Sequence, residues 1–379
     1  MNNLFDETSL DCALLSPCDG ARSTLYLAPP SDQASERLES LFAARGFSIE
    51  MWRTGVYAVS FDSEELERLC IVLADCLNPD ELESTRYRIT TWGAEPEIAD
   101  LMRADSVERL IKRERSQWLV DVIRSERLVT FFQPIVHSRQ PHRVFGYECL
   151  LRGRDRNGRL ITAPELFGAA RNTGLLVALD DAARLTAIDS FAMKRGDQET
   201  CVFININPRS MRDPERSLDN TIRAALRSGI PPDRFVFEVV ESDEIHDVSA
   251  LMRVLDFCRE IGCRVALDDL GAGYSSLKLL SEIKPDFVKL EMDLIRNVDK
   301  DAFKSRVASK IIELASDLSV PTIVEGVETV KQWDWAIQHG AEYVQGFLFA
   351  KPAPDPLTPI VDTLPPSLES CTLSADNQG

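Results

Sequence analysis

The sequence predicts an α/β protein in which a TIM-type (β/α)8 barrel follows a smaller N-terminal α+β domain. From about residue 129 onward, short apolar runs alternate with helical patterns, which is typical of parallel βα units. The stretch from about residue 120 to 355 is close to the ~250 residues of a closed eight-stranded barrel. The whole chain has 379 residues, a length that suits two domains better than one.

The pattern changes along the chain in a way that predicts the domain boundaries. Residues 1–20 are expected to be a flexible N-terminus, residues 21–94 an α+β regulatory or sensory domain, and residues 95–126 a helical connector. The barrel is assigned to residues 127–355. The residues 356–379 are rich in Pro and Ser and are predicted to form a mobile C-terminal tail.

The N-terminal domain has the element order β-α-β-β-α-β. Two helical stretches with apolar residues at spacings of three and four separate the strand-like segments. This order predicts a ferredoxin-like sandwich. The predicted strands are Thr24–Leu27, Phe47–Trp52, Val56–Phe61 and Tyr87–Thr91.

The barrel is predicted from six apolar runs between residues 201 and 344. An open doubly wound sheet is the alternative arrangement, but that fold needs a Gly-rich phosphate turn after its first strand, and no GxGxxG motif occurs there. The six runs are Cys201–Ile206, Phe235–Phe237, Cys263–Leu267, Phe287–Leu290, Pro321–Val324 and Tyr343–Val344.

A polar side chain follows almost every apolar run. In a βα barrel the carboxyl ends of the strands share one mouth, so these side chains are expected to converge there. One acidic residue after a strand is most often a helix cap. The run Val144–Tyr147 also ends in this way, however, and seven successive runs that do so favour a site. The residues are Glu148, Asn205, Glu238, Asp268, Asp269, Lys289, Glu325 and Gln345.

So many carboxylates in one mouth would repel one another unless cations lie among them. Carboxylate oxygens with one Asn amide suit Mg²⁺ or Mn²⁺ rather than zinc. Two such ions placed close together are a means of attacking phosphoesters. Ca²⁺ is larger and takes 6–8 ligands in loose geometry, so it is expected to inhibit.

Composition excludes several classes of function. Lys and Arg number 43 against 61 Asp and Glu, a formal net charge of −18, which argues against a DNA-binding protein or a membrane-surface binder. No basic segment leads into an apolar stretch at the N-terminus, and no apolar run approaches the ~20 residues of a membrane helix. The nine cysteines are scattered without a CxxC pair, which predicts reduced, buried thiols and a cytoplasmic protein.

The motifs around the polar residues resemble those of the EAL domain, the bacterial cyclic-di-GMP phosphodiesterase family. The segment that gives the family its name is present as Glu148-Cys149-Leu150, and the matching motifs occur in the family order over about 230 residues. They are Gln133-Pro134-Ile135-Val136, Gly146 to Arg152, Asn205 to Pro208, Glu238 to Ser242, Asp268 to Leu277, Lys289 to Glu291, Glu325 to Thr329 and Gln345 to Pro352.

The resemblance implies a modified βα barrel that hydrolyses cyclic-di-GMP to linear pGpG by means of a water activated by two metal ions. It also implies a homodimer formed through the EAL domain. One metal would be bound by Glu148, Asn205, Glu238 and Asp268, and the second by Asp268, Asp269 and Glu325. Lys289, Glu291 and Glu325 would act in catalysis, Gln133, Arg152, Gln345 and Glu328 would bind the substrate, and Glu241 would anchor the loop after Asp269.

One departure from the family pattern touches the site itself. Glu291 stands where the family usually has Asp, and the longer side chain moves its carboxylate by about one methylene length. A Gly-Gly-Asp/Glu-Glu-Phe synthase motif is absent, so the chain is not expected to make the dinucleotide. The alternative to a phosphodiesterase is a weak or inactive EAL domain that acts as a module binding cyclic-di-GMP or a protein.

Overall fold

A computed structural model places the described residues in two compact units. The first contains the residues before Arg127 together with Pro164–Ala178, and the second contains Arg127–Ala163 and the residues from Leu179 onward. The described residues are 22–97, 100, 104–194, 199–207, 214–240, 248–271, 276–361, 363–365 and 367–368.

The first unit contains a five-stranded antiparallel sheet in the order β2-β3-β1-β4-β5. The order of its first four strands, with one helix between β1 and β2 and a helical segment between β3 and β4, is the predicted ferredoxin-like arrangement; that segment contains a second short helix in addition to the predicted one. The strands are β1 (Ser23–Ala28), β2 (Ile49–Arg53), β3 (Val56–Phe61), β4 (Arg86–Thr91) and β5 (Asp105–Ser106).

Helices cover this sheet through their apolar stripes. Leu38 and Phe42 of α1 and Leu69 of α2 are fully buried in one cluster with Leu25 and Val59 of the sheet. The helices of this unit are α1 (Asp32–Ala44), α2 (Leu66–Cys76), α3 (Pro79–Ser84), α4 (Val107–Glu114), α5 (Trp118–Arg124) and α6 (Ala163–Thr173). The helices α4 and α5 lie in the segment 95–126, and the short strand β5 in that segment was not predicted.

Eight strands of the second unit close into a barrel in the order β6-β14-β13-β12-β11-β10-β9-β7, because β6 also pairs with β7. The ladders from β7 round to β14 are parallel, whereas β6 is antiparallel to both of its neighbours. The strands are β6 (Leu128–His137), β7 (Gln140–Arg154), β9 (Cys201–Ile206), β10 (Phe235–Val240), β11 (Arg264–Leu270), β12 (Phe287–Leu290), β13 (Thr322–Val324) and β14 (Tyr343–Val344); β8 (Leu160–Ile161) extends the edge of β7.

Helices connect the parallel strands, as the alternating pattern predicts. They are α7 (Leu176–Lys194), α8 (Pro214–Arg227), α9 (Val248–Glu260), α10 (Ser276–Ile283), α11 (Met292–Ile295), α12 (Ala302–Asp317) and α13 (Val330–Gln338). In the described part of the chain, none of the helices is long and apolar enough to cross a membrane. Six cysteines in the same part are buried and free: Cys70, Cys76, Cys149, Cys201, Cys258 and Cys263.

One layer of side chains inside the barrel is apolar, and we call it the apolar layer. The rings of Phe145 and Tyr343 stack at 4.0 Å, and Phe287 lies 5.4 Å from Phe145 between ring centroids. Aromatic and aliphatic groups thus fill the interior, as in other small barrels. The apolar layer consists of Ile135, Phe145, Cys201, Phe203, Val236, Ala266, Phe287, Ile323 and Tyr343.

Candidate active site

The polar side chains of the barrel mouth lie two residues beyond the apolar layer. Side chains on a strand alternate between its two faces, so residues i and i+2 point into the same interior. On β6, which runs in the opposite direction, Gln133 precedes Ile135 by two residues. On the parallel strands the pairs are Phe203 and Asn205, Val236 and Glu238, Ala266 and Asp268, Phe287 and Lys289, Ile323 and Glu325, and Tyr343 and Gln345. We use the name polar layer for these polar residues together with Glu148 and the neighbouring Asp269: Gln133, Glu148, Asn205, Glu238, Asp268, Asp269, Lys289, Glu325 and Gln345.

Lys289 occupies the centre of the polar layer and is fully buried. Its Nζ lies 2.6 Å from Glu325 Oε1 and 2.7 Å from Glu238 Oε1. The same atom lies 3.4 Å from Asp268 Oδ1 and 3.5 Å from Glu148 Oε2. One ammonium group therefore faces four carboxylates from four different strands or strand ends.

Two amide side chains fix the orientation of Glu148. Gln345 Nε2 donates to Glu148 Oε2 at 2.7 Å and lies 3.2 Å from Gln133 Oε1. Asn205 Nδ2 lies 3.4 Å from Glu148 Oε1. Both oxygens of Glu148 are thus held by neighbours in the polar layer.

A local irregularity of β11 brings two consecutive carboxylates to the same side. The pairing between β11 and β12 shifts register between Leu267 and Leu270, and Asp269 has a left-handed φ of 57°. In a regular strand, Asp268 and Asp269 would point to opposite faces, but a bulge re-aims the extra side chain. The backbone N–H of Asp269 donates to Asp268 Oδ1 at 2.9 Å, which stabilises this turn of the chain.

Burial shifts the protonation of the site. Burial and the nearby Asp268 raise the pKa of Asp269 to about 6, and burial foremost raises the pKa of Glu325 to about 8. The pKa of Glu238 is also raised, well above its usual value, because the group is buried. Burial alone would lower the pKa of Lys289, but the surrounding carboxylates raise it well above its ordinary value. The carboxylates therefore favour protonation unless further positive charge is supplied.

The site fits a divalent cation. Asp268, Asp269 and Glu325 each present a carboxylate oxygen, and these oxygens lie within 4.8 Å of one another. Gln345 Oε1 and Glu238 Oε2 are buried and accept no hydrogen bond from the described residues. Buried polar atoms without a partner are costly, so both atoms are available to a ligand. Oxygen donors of this kind suit Mg²⁺ or Mn²⁺.

A cavity of about 460 Å³ opens above the polar layer. The polar groups at its edge include Glu291 and Glu328, two of the residues predicted from the sequence. Leu150, Met292 and Phe347 give it an apolar wall that the sequence did not reveal. Met292 and Phe347 are 45% and 53% exposed, and isolated exposed apolar residues have no periodic signature in a sequence.

Two positions on the rim of this cavity require glycine, because a side chain there would collide with neighbouring atoms. A Cβ at Gly346 would lie 2.1 Å from the backbone oxygen of Val327, and one at Gly326 would lie 2.4 Å from Met292 Cγ. Gly326 also has a positive φ of 64°. These close approaches bring the segments that carry Glu325 and Gln345 together.

The structure does not bring two other predicted site residues into the described cluster: Arg152 lies outside the cavity lining, and Glu241 is not described. Arg152 is not among the residues that line the cavity; its Nη1 donates to Leu151 O at 2.7 Å, and its Cζ lies 5.7 Å from the ring centre of Phe131. Glu241, the predicted loop anchor, lies outside the described residues. Their predicted roles remain predictions.

Comparison with known protein families now identifies the barrel. Residues 116–352 match the model of the EAL domain. The chain belongs to the EAL domain family. This match covers more than half of the chain and includes every strand and helix that carries the polar layer.

Individual relatives share this domain at modest identity. The chain is 28% identical over 250 residues to the signaling protein YkoW of Bacillus subtilis, covering 64% of this chain and 30% of the relative. It is 30% identical over 263 residues to the probable cyclic di-GMP phosphodiesterase PdeB of Escherichia coli, covering 68% of this chain and 49% of the relative. The chain thus spans 30% and 49% of the length of these two relatives.

A solved EAL domain superposes on the barrel. It is a standalone EAL protein from Vibrio cholerae in a c-di-GMP-bound form, 32% identical, with a TM-score of 0.56. The alignment covers 62% of this chain and 95% of that protein. This EAL family chain therefore has the modified (β/α)8 barrel that the resemblance implied, preceded by a separate α+β region.

Proposed function

We propose that this EAL protein hydrolyses cyclic-di-GMP to linear pGpG in the mouth of its barrel. The observation that carries the proposal is the polar layer, in which four carboxylates surround Lys289 and three carboxylate oxygens of Asp268, Asp269 and Glu325 lie within 4.8 Å. Burying such a cluster carries a large desolvation penalty. Cations that bind among the carboxylates and act on a phosphodiester would offset this penalty.

Two Mg²⁺ or Mn²⁺ ions, when bound, supply charge neutralisation of the phosphodiester and a hydroxide-like nucleophile near neutral pH. Glu148, Asn205 and Glu238 would hold one ion and Asp269 and Glu325 the other, and Asp268 would contribute to both. Ca²⁺ is expected to support binding of the dinucleotide but little turnover, because its loose coordination positions water poorly.

The residues of the chain have separate tasks in this proposal. Lys289 keeps a positive charge beside the reacting phosphate, since its neighbours raise its pKa. Gln345 orients Glu148 through the 2.7 Å hydrogen bond. Met292 and Phe347 offer an apolar wall against which a guanine ring can pack, and Gln133, Arg152 and Glu328 complete the substrate contacts. Control by the N-terminal domain, a homodimer formed through the barrel and a cytoplasmic location belong to the same proposal.

A second function is favoured by one observation. Glu291 lines the cavity, and its charge contributes to the raised pKa of Asp269, so a displaced carboxylate there would disturb the second metal site. The chain would then bind cyclic-di-GMP, or a protein partner, without turning the dinucleotide over.

One assay tests both functions. The purified chain is incubated with cyclic-di-GMP and Mg²⁺, Mn²⁺, Ca²⁺ or EDTA, pGpG is measured by chromatography, and binding is measured by calorimetry. Formation of pGpG with Mg²⁺ or Mn²⁺, and its loss in Glu148→Ala, supports the phosphodiesterase. Saturable binding without pGpG under every metal condition would overturn it in favour of the binding module.

A further inference from the structure

The N-terminal unit contains a cavity of about 1000 Å³ that plays no part in the barrel site. It lies among the end of α3, the start of β4, the β5–α4 segment and the C-terminal end of α6, and every residue that lines it belongs to this unit. Its volume is at the upper end of the range for small-molecule sites. A molecule of nucleotide size can be accommodated there.

The charge of this cavity is opposite in sign to that of the whole chain. The chain carries −18, yet the lining has five basic side chains against the three acidic ones Glu83, Asp105 and Glu108. Convergence of like charges from separate elements is unfavourable unless an anion is bound among them. The basic residues are Arg86 of β4, Arg109, Lys112 and Arg113 of α4, and Arg171 of α6.

Neighbouring carboxylates neutralise only some of these charges. Arg109 Nη1 lies 3.3 Å from Asp105 Oδ1, and Lys112 Nζ lies 2.7 Å from Glu108 Oε1. In contrast, the guanidinium groups of Arg86 and Arg171 have no hydrogen bond or ion pair with any residue that the structure describes. These two arginines come from elements about 85 positions apart in the sequence.

The remaining lining is polar and held in place. Ser106 caps α4, and its Oγ accepts from the N–H of Arg109, so the positive end of the α4 dipole adds to the basic side chains. Asn172 Nδ2 donates to Ser116 Oγ at 3.1 Å, which ties the end of α6 to the chain beyond α4. Tyr87 contributes a half-buried aromatic ring.

We propose that this cavity binds a phosphate-bearing small molecule of nucleotide size, held by Arg86 and Arg171. The planar guanidinium group matches a phosphate with two parallel hydrogen bonds, and two such groups on different elements suit a polyphosphate. Because α6 lies within the part of the chain that matches the EAL domain, the occupant touches this matched segment as well as β4 and α4.

The test measures binding of ATP, pyrophosphate and adenosine to the full chain by calorimetry. EDTA is present throughout, so that metal-dependent binding in the barrel does not contribute. We expect saturable binding of ATP and of pyrophosphate that weakens as salt is added, and no binding of adenosine, which lacks phosphate. Binding of adenosine as tight as that of ATP, or no saturable binding of ATP and pyrophosphate, would overturn the proposal.

Variants locate the site. The double variant Arg86→Gln with Arg171→Gln should weaken ATP binding at least tenfold, whereas Glu83→Gln, which removes an acidic group from the lining, should tighten it. Arg45→Gln is the matched control, because Arg45 is an exposed arginine of the same unit that pairs with Asp75 away from the cavity. Equal ATP affinity in the double variant and the control would place the binding elsewhere and refute the assignment. The result is independent of hydrolysis in the barrel.

Discussion

Two adjacent layers of the same barrel differ in almost every physical property. The apolar layer packs aromatic rings at centroid distances of 4.0–6.2 Å, whereas the polar layer, two residues further along the strands, concentrates carboxylates around one ammonium group. Burial of the apolar layer stabilises the fold, whereas desolvation of the charges in the polar layer destabilises it. The comparison shows that residues only two positions apart on the same strand can serve different purposes, the first stabilising the fold and the second forming the candidate site.

The largest effect is expected from removing a ring of the apolar layer. Phe203 is fully buried, and Phe203→Ala should lower the free energy of unfolding by about 3–5 kcal/mol, because it leaves a cavity among rings that do not close up. Urea denaturation followed by circular dichroism measures the change. Phe303→Ala is the control: Phe303 is 78% exposed, and the change there should stay within about 0.5 kcal/mol. Equal losses in both variants would remove the basis of the comparison.

In the polar layer, a single substitution should lower the catalytic activity. Asp268→Asn removes the charge of the residue proposed to contribute to both metal ions. We expect hydrolysis of cyclic-di-GMP to fall by about 100-fold or more, since even the loss of a residue that only supports a metal ligand costs 10–100-fold. Steady-state kinetics measures the loss. The exposed Asp317→Asn serves as the matched control and should keep the original rate. Full activity in Asp268→Asn would contradict the role of the polar layer.

Proton release should accompany metal binding in the polar layer. Burial raises the pKa of Glu325 to about 8 and that of Asp269 to about 6, so both carboxyls bind protons more readily than usual in the metal-free protein. A metal ion binds only the charged carboxylates, so it must displace these protons. The affinity for Mn²⁺ should therefore rise by up to about tenfold per pH unit between pH 6 and 8 and level off above pH 8. Calorimetry in buffers of different ionisation enthalpy measures both quantities; an affinity that is flat from pH 6 to 8 would count against these shifts.

The same shifts predict the stability of the metal-free protein. A carboxyl whose pKa is raised in the folded state stabilises the fold at low pH, and this contribution is lost as the pH rises through about 6 for Asp269 and about 8 for Glu325. In the presence of EDTA, the melting temperature should fall as the pH rises through this range. The Glu325→Gln variant lacks this carboxyl, so its pH dependence gives the contribution of the other titrating groups, which is subtracted. A melting temperature with the same pH dependence in both proteins would show that Glu325 does not titrate there.

The smallest effect concerns the edge of the polar layer. Glu291→Asp shortens the side chain beside Asp269 and should raise kcat by up to about tenfold, or roughly 1.4 kcal/mol of barrier, with a smaller change in KM. Kinetics at saturating Mg²⁺ and again at saturating Mn²⁺ measures the change. Glu282→Asp, on the surface of α10, is the control for the substitution itself. A lower kcat with both metals would mean that the backbone already compensates for the longer side chain.

The sequence predicted the strands of both units well, for a physical reason. Buried strands are nearly continuous apolar runs, and the predicted runs Val56–Phe61 and Phe287–Leu290 coincide with β3 and β12. The sequence placed each polar residue after its strand, however, and this holds only for Glu325 and Gln345. It was wrong for the residues that lie within strands, which are Glu148, Asn205, Glu238, Asp268, Asp269 and Lys289. In a barrel, the change from apolar to polar side chains marks a new interior layer, while the hydrogen-bonded ladder continues.

Other features required the three-dimensional structure. The apolar pattern of β6 does not indicate that this strand runs antiparallel to its neighbours, because the pattern is independent of strand direction. The two-residue strands β5 and β8 are too short for a periodic signal. The bulge at Asp269 depends on the register of the neighbouring strand, and the apolar wall formed by Met292 and Phe347 depends on the way distant segments meet.

The grouping of Pro164–Ala178 with the N-terminal unit has a consequence for how such proteins recombine. These residues follow the first barrel strands in the sequence, yet they form a compact body with the residues before Arg127, and Leu166 and Ala170 within them are fully buried. A gene fusion that exchanges everything before Arg127 would leave this segment behind without the residues with which it forms a compact unit. A chimera made with a single crossover at that point is therefore expected to aggregate, and one that also transplants residues 164–178 is expected to remain soluble.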